Sequence, residues 1–162
     1  MLAELESSRG NHSESIELLA AASVLDPNDP EIFGRLGERL AKANRHADAA
    51  RIFHQQHCLT PTVPEPLFNA GVCLQRSNQL DLAEEVLTKV TQLFPEWPSG
   101  HRALAALYRD QNRFEEARAH LLRAIALPPI QTVDLIDLGS TDARTGDSRS
   151  AIDWLERALL LD

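Results

Sequence analysis

The chain has 162 residues, with 16 lysines and arginines against 24 aspartates and glutamates, a formal net charge of −8 at pH 7, and 43% hydrophobic residues. Such an ordinary acidic composition excludes a wholly disordered chain and argues against phosphate-driven nucleic-acid binding, while two cysteines, Cys58 and Cys73, cannot build a disulfide framework. No apolar stretch approaches the roughly 18 residues that cross a bilayer, and residues 1–10 carry Glu4 and Glu6 without a secretory apolar segment, so no membrane partner and a cytoplasmic location are expected.

Pro27, Pro61, Pro95 and Pro129 stand 34 residues apart with no insertion between them, which signals an internal repeat. In that register a truncated first unit (1–29) precedes full units over 30–63, 64–97 and 98–131 and a truncated fifth over 132–162. In the first unit, Gly10 is predicted to separate a first helix from a second. In the second, Pro30 opens a helix carrying Phe33, Leu36 and Leu40, Asn44 ends it, and a second helix carries Ala49, Ile52 and Phe53. The third unit repeats the scheme with Pro64, Leu67, Leu74, Asn78, Ala83, Leu87 and Val90. The fourth follows with Pro98, Leu104, Tyr108, Asn112, Ala117, Leu121 and Ala124. The fifth ends its first helix at Gly146 and carries Ala151, Leu155 and Ala158 on its second. Apolar residues at three- and four-residue steps dictate helices. Asparagine or glycine between them tolerates a left-handed turn, and proline is favoured at a helix start. Small residues on the first helix (Gly37, Gly71, Ala105) are expected to face small residues on the second (Ala49, Ala83, Ala117). A larger side chain there costs about 1 to 3 kcal/mol.

These columns resemble the tetratricopeptide repeat family: Phe33, Leu36, Gly37, Leu40, Ala49, Phe53, Gln56 and Pro61 form one copy of its pattern. Leu67, Ala70, Gly71, Leu74, Ala83, Leu87, Val90 and Pro95 form a second, and His101, Leu104, Ala105, Tyr108, Ala117, Leu121, Ala124 and Pro129 a third. Gln56 departs from it in place of a small residue, and His101 in place of a bulky apolar one. Asp142 stands where Leu40, Leu74 and Tyr108 stand; the incomplete end units are read as those of a piece cut from a larger protein, and the alternative is that Glu6 and Asp142 mark terminal units that need not pack against another repeat. The resemblance implies an all-α, right-handed α-α superhelix (solenoid) of antiparallel helical hairpins, a single array that is expected to be part of a larger protein. It also implies a protein-interaction scaffold that holds a peptide segment of a partner in the concave groove formed by the first helices. The alternative is a non-catalytic targeting or oligomerisation portion of a larger enzyme, such as a transferase or hydroxylase. Trp154, Leu155, Ala158, Leu159 and Leu161 give the last helix an apolar face expected to support self-association or docking on a neighbouring domain.

Helical phase places Arg35, Phe68, Asn69, Val72, Arg76, Arg102, Ala106, Arg109, Ile136 and Arg144 on the exposed side of the first helices. This face as a whole carries six basic and five acidic residues, so it nets +1 within a chain of −8. A ligand with acidic and apolar residues suits it, with Phe68, Arg102 and Arg109 as anchors. Neither specialised groove of the family is matched. The carboxylate clamp for chaperone tails finds only Asn69, and the asparagine ladder of sugar-transferase arrays would run through Arg35, Asn69, Ala103 and Asp137. Pentatricopeptide RNA readers run one residue longer per repeat. His54, His57 and Cys58 lie close on one helix but lack further zinc ligands, so they read as surface residues. His12, His46, His101 and His120 fall at different repeat phases. Glu84-Glu85 and Glu115-Glu116 recur early in second helices, where the helix dipole favours them. Cys73 reads as a packing residue. No phosphate loop, nucleophile elbow or dinucleotide fingerprint occurs, so neither enzymatic activity nor a cofactor is expected.

Overall fold

The computed structural model describes the backbone of residues 2–161 and the side chains of residues 13–161. The described residues form nine helices: α1 (Leu2–Leu25), α2 (Pro30–Lys42), α3 (His46–Leu59), α4 (Pro64–Arg76), α5 (Leu80–Leu93), α6 (Pro98–Asp110), α7 (Phe114–Ile125), α8 (Thr132–Thr145) and α9 (Ser148–Leu159). No strand occurs among them.

Helix ends fall where the local chemistry requires. Pro30, Pro64 and Pro98 each occupy the first turn, where a missing amide proton costs nothing. At α2 the Asp29 carboxylate also accepts from the Glu31 amide at 2.8 Å. Asn44, Asn78 and Asn112 adopt φ of 59°, 62° and 60°, and Gly146 adopts 90°. Each turn then closes in the same way: the amide of Arg45 donates to the Leu40 carbonyl at 2.9 Å, Gln79 to Leu74 at 3.0 Å, Arg113 to Tyr108 at 2.8 Å and Asp147 to Asp142 at 2.9 Å. That six-to-one bond is the Schellman closure, which needs a left-handed residue inside it. At Gly10 the expectation is overturned, because α1 runs on through it as one helix. Glycine permits a left-handed turn without forcing one, and within a helix it costs only about 1 kcal/mol relative to alanine.

The chain forms two compact units, Met1–Val86 and Leu87–Asp162, with α5 contributing residues to both. In the first unit α1 packs on α2, α2 on α3 and α3 on α4, burying Ile16, Leu36, Leu40, Ala49 and Phe53. Gly37 faces Phe53: a Cβ on Gly37 would stand 2.7 to 2.9 Å from three atoms of the Phe53 ring. The close approach of α2 and α3 is therefore a large side chain seated in a glycine notch. Gly34 makes room for the anomalous Gln56 in the same manner, since its Cβ position lies 2.6 Å from Gln56 Nε2.

In the second unit α6 packs on α7, α7 on α8 and α8 on α9, around Ala105, Leu121 and Leu138. Two carboxylates are buried there. Asp142 is 0% exposed. Arg118 Nε of α7 donates to its Oδ1 at 2.6 Å and Trp154 Nε1 of α9 to its Oδ2 at 3.0 Å. The terminal-unit reading of Asp142 is thus corrected: its polarity is used to join three helices. Asp134, at the start of α8, is 1% exposed and accepts from Arg102 of α6 and from the Gln131 amide.

Candidate functional site

In the first unit, Phe68, Val72 and Arg76 succeed one another at four-residue steps along α4, so they share one face. Phe68, Asn69 and Val72 are half-buried and Arg76 is exposed. Arg35, exposed on α2, lines a cleft of about 490 Å³ with Leu18, Leu19 and Ala22 of α1. Neither Arg35 nor Arg76 has a carboxylate partner among the described residues.

The second unit treats its arginines differently. Arg102, expected as an anchor, makes two parallel bonds of 2.7 Å to Asp134 and a third, of 3.1 Å, to the Pro129 carbonyl, with only 18% of its side chain exposed. Arg109 pairs with Asp137. These two contacts tie α6 to α8, so a ligand carboxylate would have to displace a resident one. Bidentate arginine–carboxylate pairs are strong and geometrically exacting. Ala106 and Ile136 remain exposed. Arg144 is exposed and lies 5.0 Å from the Phe114 ring centroid. On α9, Ile152, Leu155 and Leu159 are exposed large apolar residues.

Sequence reading missed an apolar cleft of about 480 Å³ in the first unit. It lies on the side of the second helices, where Ala47, Ala50 and His54 of α3 meet Ala70 and Leu74 of α4 and Leu82 and Val86 of α5. Leu82 is 48% exposed. The signal was available as two alanines on α3 opposite a leucine outside the core columns.

The histidines also rearrange the expectations. His54 and Cys58 are exposed with Nδ1 and Sγ 3.9 Å apart, whereas His57 is buried at 7% rather than on the surface. His101 and His120, which the sequence left at unrelated phases, come together across α6 and α7 with their Nδ1 atoms 3.0 Å apart and ring centroids 5.3 Å apart. Burial first, and the nearby Arg123 charge as well, push both rings below the usual histidine range; for His120 the His101 ring adds to the effect. Among the described residues no group of three or more His, Cys, Asp or Glu is arranged to hold a metal ion. Glu116 is held below the ordinary glutamate range by Arg113, and burial pushes the Cys73 thiol up. No helix of the described residues is long and apolar enough to cross a membrane.

Three family models, each described as tetratricopeptide repeat, match residues 1–56, 40–107 and 98–123. Among solved structures, MamA aligns with a TM-score of 0.82 at 17% identity, covering 98% of this chain and 93% of its own. MamA from Desulfovibrio magneticus RS-1 aligns at 0.79 and 22%, covering 99% and 90%. YrrB, described as a TPR protein with an unusual peptide-binding site, aligns at 0.72 and 16%, covering 97% and 81%. These likenesses show the fold, the all-α solenoid class of antiparallel helical hairpins. No curated protein matches the chain.

Proposed function

The chain belongs to the tetratricopeptide repeat family, and from that premise we propose that it is a non-catalytic scaffold holding a peptide segment of a partner protein on its first helices. The observation that carries the reading is the α4 face: Phe68 and Val72, half-buried and one turn apart, continue into the exposed Arg76. An aromatic residue that is partly exposed offers apolar contact at low entropic cost, and an unpaired arginine beside it supplies direction and charge. The preferred ligand is a peptide with apolar residues next to a carboxylate. In the second unit Ala106 and Ile136 offer apolar contact, while Arg102 and Arg109 serve as struts.

Selection from a library of random peptides, followed by fluorescence anisotropy on the best binder, tests this. Phe68→Ala and Arg76→Glu should each weaken binding at least tenfold, because truncated aromatic anchors typically cost about 2 kcal/mol or more. Leu82→Arg, in the cleft on the other side of α4, should leave the affinity unchanged. Full loss through Leu82→Arg with unchanged binding in the two α4 variants would transfer the site to that cleft.

A further inference from the structure

We propose that His101 and His120 form a two-histidine site for a borderline divalent transition-metal ion such as zinc, with water in the remaining positions, and that the bound ion staples α6 to α7. Two independent observations carry this. The first is positional. The repeat register that holds His101 and His120 holds Phe33 and Ile52 in the second unit, Leu67 and Val86 in the third, and Leu135 and Trp154 in the fifth. Both members of an apolar pair have become imidazoles in one repeat alone. A lone polar replacement in such a column would be a packing fault, whereas a matched pair across two helices is a bidentate donor set.

The second observation is geometric. Two nitrogens each about 2.0 to 2.1 Å from one zinc ion stand about 3.3 to 3.4 Å apart at the tetrahedral angle; the two Nδ1 atoms are 3.0 Å apart, so moving them apart by a few tenths of an ångström reaches that spacing. In the metal-free pair one Nδ1 carries a proton that the other accepts, since two facing lone pairs repel. On coordination that proton moves to the other nitrogen of its ring, and both Nδ1 lone pairs turn to the metal. Burial disfavours the protonated form of both rings, and a neutral imidazole is the form that ligates a metal. Imidazole ligands suit zinc, nickel and copper and exclude magnesium and calcium. The charges that face the pair are Glu116, one turn before His120, which favours a cation, and Arg123, which opposes one; Tyr108 stacks against His120 with centroids 5.5 Å apart.

Isothermal titration of the tag-free chain with zinc chloride at near-neutral pH is the direct test. One equivalent should bind, more weakly than to a four-ligand structural site. The affinity should fall at least tenfold in His101→Leu and in His120→Val, which restore the residues of the third unit and so keep the hairpin folded. The double variant His54→Ala/Cys58→Ala should bind as the wild type does. A parallel readout needs no variant: on adding zinc to the wild type, the imidazole NMR signals of His101 and His120 should shift before those of the other histidines. Undiminished binding in His101→Leu and His120→Val, loss confined to the His54/Cys58 variant, or no binding in millimolar zinc would each overturn the proposal.

Discussion

Two glycines on α2 separate backbone preference from packing. Gly34→Ala and Gly37→Ala make the same chemical change in the interior of the same helix, and each gains about 1 kcal/mol of helix propensity. Their surroundings differ. At Gly34 the three nearest atoms all belong to the Gln56 side-chain amide, the nearest at 2.6 Å, and Gln56 is a flexible, half-buried side chain that can swing aside. At Gly37 the added methyl would meet Phe53 Cε1, Cζ and Cδ1 at 2.7, 2.8 and 2.9 Å. Phe53 is 4% exposed and rigid, so the ring or the whole of α3 must shift. Overpacking of that kind costs about 1 to 3 kcal/mol. Gly34→Ala should therefore stabilise by about 0.5 to 1 kcal/mol, and Gly37→Ala should destabilise by about 0 to 2 kcal/mol. The difference, about 0.5 to 3 kcal/mol, reports the packing contribution. Urea unfolding followed by circular dichroism measures it, and hydrogen exchange of the α2 and α3 amides localises it, which matters because neighbouring repeats unfold as coupled units. Adding Phe53→Leu to Gly37→Ala should return some of the loss. Equal stabilities for the two alanine variants would refute the glycine-notch account of the α2–α3 contact.

The buried carboxylate Asp142 gives a second expectation. Arg118→Ala removes its charged partner, leaves the Trp154 indole as donor, and should cost about 2 to 4 kcal/mol. Asp142→Leu, which copies Leu40 and Leu74 of the same column, should cost much less by calorimetry, since an apolar substitute needs no partner. A third expectation concerns pH. His101 and His120 are depressed below 6.5 in the folded chain, chiefly by burial, so the unfolded chain binds more protons between the folded values and about 6.5. The histidine contribution is complete above the unfolded value and is lost as pH falls below it. Unfolding midpoints should therefore drop between about pH 7 and 5, and His101→Leu/His120→Val should flatten that slope. The lowered carboxylates Asp48, Glu116 and Asp147 act in a separate window, losing their contribution as pH falls through and below the ordinary carboxylate range.

What could be read from the sequence was whatever repeats. Prolines at helix starts and asparagines at left-handed turns recur in the three full units, and the apolar columns recur with them, so their period exposes them. What escaped was specific to one unit. Asp142 in a leucine column looked like a relaxed end because its partners, Arg118 and Trp154, lie 24 and 12 residues away and outside any repeating pattern. His101 and His120 looked scattered until the columns of both helices were compared together. Helical phase identified Arg102 and Arg109 as groove-facing but could not reveal Asp134 and Asp137 one repeat later as their partners. Matching Gly37 to Ala49 by size overlooked the large Phe53 ring, whose atoms stand nearest to the Gly37 Cβ position.

Methyl NMR on the chain with selectively labelled valine and leucine, titrated with the selected peptide, tests most directly whether the α4 face binds it. Binding there predicts saturable shifts of the Val72 methyls, with Leu82 and Val86 unmoved. Shifts of Leu82 and Val86 with Val72 unmoved would contradict the account.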